Sequence, residues 1–583
     1  MKIVPEAQPV IFGSRNDLVG WYHGPAPTHA RGLGVVICPP NGYENLCIHW
    51  ALRLLAERLA TEGIATVRVS YHGTGDALGD DRQPGRVPAW LESIGAAIEL
   101  LKAKSGVRRV ALLGVRLGAA LAAAAAAQRT DVEALALYAP CLSGRTYVRE
   151  QKALGLTRHP DDPLEDTGNP NDVLMAGWFI SEETAAALGK LELSKLPRAP
   201  AREVLILHRE DFPVDERPQK HLAALGVQVT AQRTRDWVAF MQDALTGALP
   251  QRDFDTLVRW LAERAGPPQQ AAPVPAAPPL VTLLEGERFI EEPVLFSKHA
   301  MFGVLCTPKA AAPGAPIIVF LNTGASHHIG AHRSWVSTSR ALAARGVATF
   351  RFDIQGLGDS PARAGRPQNG VYAMVATEDV AAALDFLESR GFHNFTLAGL
   401  CSGGFLAFNS AVIDRRVRAL VMVNLQRFTW KDGDSLAIAR RLAVASTDAY
   451  FRRALKLETW KRLARGSVNL KLIATALAAR GVKNLKARAS GIASRVLGPA
   501  FEVNDVRRGF LQILLRGARV TLVYGESDGG LDEVTAHLGP DLKRLRKYPK
   551  AELVYLRDTD HTLTTTPAMA KLLELLQRVA LQR

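Results

Sequence analysis

The sequence predicts an α/β protein made of two doubly wound domains in tandem, and three observations carry that prediction. The chain has 583 residues, beyond the size at which a single core stops growing, so two or more domains are expected. A stretch rich in proline and alanine, GPPQQAAPVPAAPPL at residues 266–280, has the composition of an extended linker and divides the chain into residues 1–265 and 281–583. The two parts repeat the same blocks in the same order. Apolar strand runs alternate with amphipathic helices, the pattern of βαβ units around a mostly parallel sheet.

The blocks pair off one by one. GVVICPPNG (34–42) matches PIIVFLNTG (316–324), each an apolar run ending in a polar, glycine-bearing turn. WALRLLAERLATEGIATVRVSYHGTGD then matches SWVSTSRALAARGVATFRFDIQGLGD. Each reads as a helix with apolar spacing, a glycine stop, a β-rich strand and a turn. RRVALLGVRLGAALAAA (108–124) matches HNFTLAGLCSGGFLAFN (393–409), and LILHRED (205–211) matches LVYGESD (522–528). Unbroken apolar strands suit a parallel sheet covered on both faces. In the second part an insert that is helical in pattern, at about 427–516, falls where a lid over the carboxyl edge of the sheet would lie.

Composition narrows the setting. Apolar residues make up 47% and charged residues 22%, ordinary for a globular protein. Five cysteines, at 38, 47, 141, 306 and 401, form no CxxC pair, which argues against a disulfide framework or zinc ribbon and for a reducing compartment. No apolar run has the length of a spanning helix, and the N-terminus lacks a signal-peptide core, so a soluble cytoplasmic protein is expected. The net charge is +15, and the 19 lysines and arginines against 6 acidic residues between Arg427 and Arg516 account for most of it. Such a patch attracts an acidic carrier protein, a phosphorylated cofactor or an anionic membrane surface, unless it is simply a solvated helical face. Nucleic acid is not expected, because aromatic residues are few along the insert.

The chemistry gathers in the second part. Gly399-Leu400-Cys401-Ser402-Gly403 has the G-x-nucleophile-x-G form of an elbow, in which two glycines let a strained strand-to-helix turn close under the nucleophile. Cysteine holds the central place, at a helix N-terminus whose partial positive charge favours a thiolate. The frame centred on Ser402 lacks the first glycine, so Ser402 is expected to supply a backbone N–H to an oxyanion hole, with Ala325 of LNTGAS or a neighbour supplying the other. An acid and a histidine should follow the nucleophile in chain order. Asp528, past the strand RVTLVYG, and His561, in DTDHTL, meet that requirement, and a Cys401–His561–Asp528 triad is expected.

The first part lacks these groups. In GVRLG the nucleophile position holds Arg116, which stays protonated and cannot attack. Asp211 survives at the acid position, and Trp237 aligns with His561. An Arg116–Asp211 ion pair filling a dead site is the favoured expectation, and an anion bound by Arg116 the alternative. GTGD (73–76) and GLGD (356–359) lack the spacing of phosphate loops and read as turns. His327, His328 and His332 lack carboxylates or cysteines at ligand spacing, so no metal is expected; contact with substrate is expected for their turn.

GLCSGG, LVYGESD and DTDHT, with GVRLGA and LILHRED, resemble the α/β-hydrolase superfamily twice over. LNTGASHHIGAHR and YHGTGDALGDD with GVRLGA are similar to the exosortase-associated hydrolases and related serine-aminopeptidase-like proteins, which occur with bacterial surface polysaccharide gene sets. The resemblance implies a degenerate hydrolase-like domain, a linker, and a catalytic domain with a basic lid. Cys401 would form a thioester acyl-enzyme and pass the acyl group to water or to an alcohol or amine. Cysteine-elbow relatives include dienelactone hydrolases and polyhydroxyalkanoate synthases. The expected donors are therefore a small ester, or a thioester of coenzyme A or an acyl carrier protein, with no cofactor. Peripheral contact with an anionic membrane through the lid is compatible with this. The other class of function is a non-catalytic binding or assembly factor of a surface polysaccharide or lipid pathway.

Overall fold

The computed structural model describes residues 6–156, 163, 165, 167–268, 281–310, 314–430 and 505–582. Most of the expected linker and most of the expected lid lie outside the described residues. The first half contributes strands β1 (Glu6–Phe12), β2 (Leu18–Gly24), β3 (Leu33–Cys38), β4 (Thr66–Val69), β5 (Arg109–Val115) and β6 (Val132–Tyr138), then a hairpin of β7 (Val173–Met175) and β8 (Trp178–Ile180), then β9 (Glu203–His208) and β10 (Gln228–Arg233). The second contributes β11 (Leu284–Glu285), β12 (Phe289–Phe296), β13 (Met301–Pro308), β14 (Ile317–Leu321), β15 (Ala348–Phe352), β16 (Phe395–Leu400), β17 (Val417–Val423), β18 (Arg519–Gly525) and β19 (Ala551–Leu556).

The two large sheets have one topology. The first runs β1-β2-β4-β3-β5-β6-β9-β10, and the second, after the short β11, runs β12-β13-β15-β14-β16-β17-β18-β19. In each, an antiparallel pair leads into a parallel core, and the central strands are buried along their whole length. That burial on both faces is why these strands read as continuous apolar runs rather than alternating ones. Helices such as Tyr43–Thr61 and Ala376–Ser389 cover the faces.

The halves are joined by a reciprocal exchange. Each GxGD turn sends its aspartate into the other half. Asp76 accepts from Arg351 at 2.9 Å, and Asp359 accepts from Arg68 at 2.7 Å. Arg68 and Arg351 occupy equivalent places in the repeat, as do Asp76 and Asp359. Arginines also grip the opposite turn's carbonyls, Arg53 on Gly358 at 2.9 Å and Arg333 on Gly75 at 2.7 Å. Two apolar contacts extend the junction: Trp21 and Phe302 meet edge to face at 4.8 Å, and Ile11 and Val19 pack with Leu284.

His328 was expected to touch substrate; it is instead buried in this junction. Its Nδ1 meets Asp353 and its Nε2 meets Asp76, both at 2.8 Å. Two carboxylate partners require two N–H donors, so the ring is an imidazolium. Burial alone would discharge it, but the charges of Asp76 and Asp353 override that and push its pKa to about 10. His327, also buried, stacks on His49 at 3.9 Å, and His49 pairs with Asp359 at 2.9 Å. Sequence spacing showed no carboxylate near these histidines because the acids arrive from distant turns. The donor atoms of His328, Asp353 and Asp359 cluster within 4.8 Å, each engaged in these ion pairs and hydrogen bonds.

Candidate functional site

Strand β16 ends at Leu400 and the helix Ser402–Ile413 begins one residue later, which leaves Cys401 alone on the turn. Its backbone is forced to φ 56° and ψ −113°, a conformation costing about 1–3 kcal/mol for a non-glycine residue. The flanking glycines make the turn possible. A Cβ at Gly399 would lie 2.3 Å from the carbonyl carbon of Gly403, and one at Gly403 would lie 2.9 Å from the Asn322 oxygen. The turn holds the thiol at the N-terminus of the helix.

The structure brings Cys401, His561 and Asp528 together. His561 Nδ1 bonds Asp528 Oδ2 at 2.7 Å. Because a carboxylate only accepts, Nδ1 carries the proton and Nε2 is left for the thiol. The ring and the Cys401 thiol line the same cavity. Burial alone would push the thiol up; the neighbouring His561 charge and hydrogen bonds from His561 and Tyr372 override it and hold it below its ordinary value. Burial would likewise lower His561, but Asp528 and the thiolate raise it well above the usual range. The two shifts run in opposite directions, each favouring the charged form of its group. The four other cysteines are buried. Burial pushes Cys47 up to about 12 and Cys38, Cys141 and Cys306 higher still.

Three groups escaped the sequence reading. Gln426 donates to Asp528 Oδ1 at 2.7 Å, and Asn424 donates to the His561 carbonyl at 2.8 Å, so the acid and the histidine loop are both braced from the end of β17. Tyr372 places its hydroxyl 3.6 Å from Cys401 Sγ. The residue takes φ 59° and is gripped by Trp430, stacked at 4.6 Å, and Phe405, edge-on at 5.2 Å. Strand–turn–helix context marks an elbow and a strand end marks an acid, but Tyr372 sits in an irregular loop with no such marker.

Ser402 is buried at the first position of its helix, so its N–H has no intrahelical acceptor. Its Oγ accepts from the Gly324 N–H at 2.8 Å and pins the turn that carries Ala325 against the elbow. Ala325 and Ser402 line, with Cys401, Asp528 and His561, a cavity of about 620 Å³ between the two halves.

The first half keeps the elbow and carries an arginine at its centre. Arg116 takes φ 52° and ψ −118°, nearly the angles of Cys401. A Cβ at Gly114 would lie 2.4 Å from Ala119 Cα, and one at Gly118 would lie 2.2 Å from the Cys38 oxygen, so the turn still demands its glycines. The expected Arg116–Asp211 pair is not formed. Arg116 bonds Glu44 at 2.8 Å and Glu150 at 2.5 Å. Those acids stand on the helices Tyr43–Thr61 and Gly144–Leu156, both folded against the elbow. Asp211 is captured two residues away by Arg209, at 2.7 Å. Trp237 is buried, edge-on to Tyr138 at 5.3 Å, and packs where the aligned half has its histidine.

Comparison with known proteins agrees with this architecture. Residues 318–571 match the alpha/beta hydrolase family model, and residues 48–160 match that of the serine aminopeptidase family S33. An uncharacterized protein of Pseudomonas aeruginosa, PA2218, is 32% identical over 110 residues, 18% of this chain and 29% of that protein. The uncharacterized protein YcjY of Escherichia coli is 29% identical over 89 residues, 15% of this chain and 28% of that one. The matches thus span less than a third of either relative. Among solved structures, the ferulic acid complex of Est1E from Butyrivibrio proteoclasticus is 17% identical and aligns over 43% of this chain and 98% of its own, with a TM-score of 0.33. A dienelactone hydrolase from Anabaena variabilis is 12% identical, over 51% and 97%, with a TM-score of 0.29. No helix among the described residues is long and apolar enough to cross a membrane. The family matches on both halves, together with a strand order that occurs twice, identify two domains of the α/β-hydrolase type in tandem.

Proposed function

We propose that the second domain performs acyl transfer through Cys401, with His561 and Asp528 as its partners and an activated ester or thioester as the acyl donor. The observation that carries this is His561, bonded to Asp528 at 2.7 Å, sharing one cavity with Cys401 on its strained elbow. The Cys401 thiolate attacks the carbonyl carbon and the carbonyl π pair moves onto oxygen. Backbone N–H groups of Ser402 and Ala325 face that oxyanion. Collapse expels the leaving group, which takes its proton from the His561 imidazolium and leaves a thioester on Cys401. His561, now neutral, removes a proton from water, or from an alcohol or amine, as that acceptor attacks the thioester; the C–S bond then breaks, releasing the acyl product and returning the Cys401 thiolate beside the imidazolium.

A thioester intermediate is itself activated, which suits transfer as well as hydrolysis. A thioester donor, from coenzyme A or a carrier protein, exchanges sulfur for sulfur at little cost. The test is intact-mass spectrometry after brief exposure to acyl-coenzyme A, acyl-carrier and aryl ester donors. One acyl group should appear on Cys401, with acylation slowed about 100-fold or more in His561→Ala. Acylation of no residue by any donor would leave a binding or assembly role in its place.

Tyr372 supports the thiolate in this reading, its hydroxyl donating to sulfur. Tyr372→Phe should raise the Cys401 pKa, read as the pH midpoint of iodoacetamide alkylation. In the wild type the alkylation rate should fall as the thiolate is protonated, at a pH below the ordinary thiol value; in the variant the fall should begin at higher pH. Loss of a hydrogen bond to a charged group, worth about 1.5–3 kcal/mol, corresponds to a shift of roughly one to two pH units.

A further inference from the structure

We infer that the first domain, which carries Arg116 where a nucleophile would stand, forms the acyl-binding wall of the site at Cys401, and that the group held there is an apolar acyl chain seated against Trp178 and Leu245. The inference rests on the reading of Cys401 as the acylated residue. The cavity beside the thiol has two unlike sides. From the first domain come Tyr43, Leu46, Trp178, Ala244 and Leu245, with one carboxylate, Asp243, whose Oδ1 is taken up by the N–H groups of Leu245 and Thr246; from the second, beyond the thiol, Val371 and Tyr372 are outnumbered by Glu526, Asp528, Asp558, Asp560 and hydroxyl-bearing side chains. A chain that meets hydrocarbon on one side and carboxylates on the other lies along the hydrocarbon. The polar leaving group or acceptor then faces the second domain, where His561 exchanges its proton.

The wall is held in register with the nucleophile. Leu245 reaches to within 3.8 Å of where a Cβ on Gly324 would stand, so it packs on the turn that carries Ala325. The neighbouring Ala244 carbonyl accepts from Asn369 of the second domain at 3.2 Å. Trp178 opens β8, just after the tight turn Ala176-Gly177, whose residues take φ 49° and 81°. The hairpin tip is clamped from the other domain: a Cβ on Gly177 would lie 2.7 Å from the His332 ring. His332 Nε2 in turn donates to the carbonyl of Thr562, next to His561, at 3.1 Å. A cavity of about 620 Å³ falls in the size range of small-molecule sites.

The test uses the full chain and a homologous pair of thiol reagents, N-methyl and N-octyl iodoacetamide, with alkylation of Cys401 followed by intact mass. Burial of the other four cysteines keeps the reading specific. The wild type should react with the octyl reagent about tenfold or more faster than with the methyl reagent, the discrimination expected of a well-fitting apolar pocket. Leu245→Trp should fill the wall and bring that ratio close to one. Trp178→Asp should do the same by placing a charge on it. A wild-type ratio near one, or a preference that survives both substitutions, overturns the inference. Because alkylation needs only the thiol, this result is separate from the donor experiment above. A failure of the donors to acylate Cys401, with the chain-length preference intact, would overturn the acyl-transfer reading and leave an apolar wall beside the thiol.

Discussion

Cys401→Ala is expected to lower ester or thioester turnover by roughly 10⁴-fold or more, measured with an aryl ester under conditions where the wild type turns over freely. The fold should survive the change unharmed. Alanine at φ 56° is as strained as cysteine there, so the thermal midpoint should stay close to that of the wild type. Cys401→Gly separates the two effects further. Glycine takes positive φ without steric cost, and relief of the strain should offset the lost side-chain contacts or exceed them by about 1 kcal/mol. A variant that is inactive and no less stable than the wild type would show that the elbow stores strain for the sake of the thiol's position. Activity retained within a few-fold in Cys401→Ala would remove the thiol from the mechanism.

Arg351→Leu is expected to destabilise the protein by about 3–5 kcal/mol, read by denaturant unfolding, because it strands charges in a dry junction. The Arg351 side chain is 0% exposed and bonds Glu291 and Asp76 at 2.8 and 2.9 Å. Arg68→Leu should cost a similar amount through Asp359. The same network sets a pH window for the wild type. Burial opposes ionisation of Asp76 and Asp359, yet their cationic partners hold both well below the usual carboxylate range. Their contribution is therefore present above the ordinary aspartate value and is lost as pH falls below it. His328 is raised to about 10, so its contribution is complete below the ordinary histidine value and is lost progressively as pH rises through about 10. The junction should be firmest in mildly acid solution and weaken on both sides. Stability that rose steadily from neutral pH to pH 10 would contradict the imidazolium at His328.

How much could be read from the chain alone depended on how local each feature is. The duplicated βαβ order was visible because every block carries its own periodicity. Cys401, Asp528 and His561 were visible because each lies in the turn or loop that follows a strand, the edge where such sheets gather functional groups. Arg116 shows where that logic ends. The fold does bring the ends of β5 and β9 near one another. Arg209 is nonetheless a closer partner for Asp211 than Arg116 is, and Glu44 and Glu150 reach Arg116 from helices whose docking no sequence spacing reveals. GTGD and GLGD were correctly read as turns. Their aspartates were read as turn residues only, since the arginine that meets Asp76 lies 275 residues away. Tyr372 was missed for the same reason: what marks it is the ring of aromatic neighbours around it, and those are assembled in three dimensions.

The exchange of aspartates across the junction has the logic of a two-fold axis. Residue i of one half meets residue j of the other, and the equivalent of j meets the equivalent of i, which is how an isologous dimer holds itself together. A chain that had diverged freely after duplication would have little reason to keep both arms of that handshake. Both arms are present here, beside elbows that hold an arginine in one half and a cysteine in the other. The halves are thus symmetric in how they hold each other and unlike in what their elbows carry.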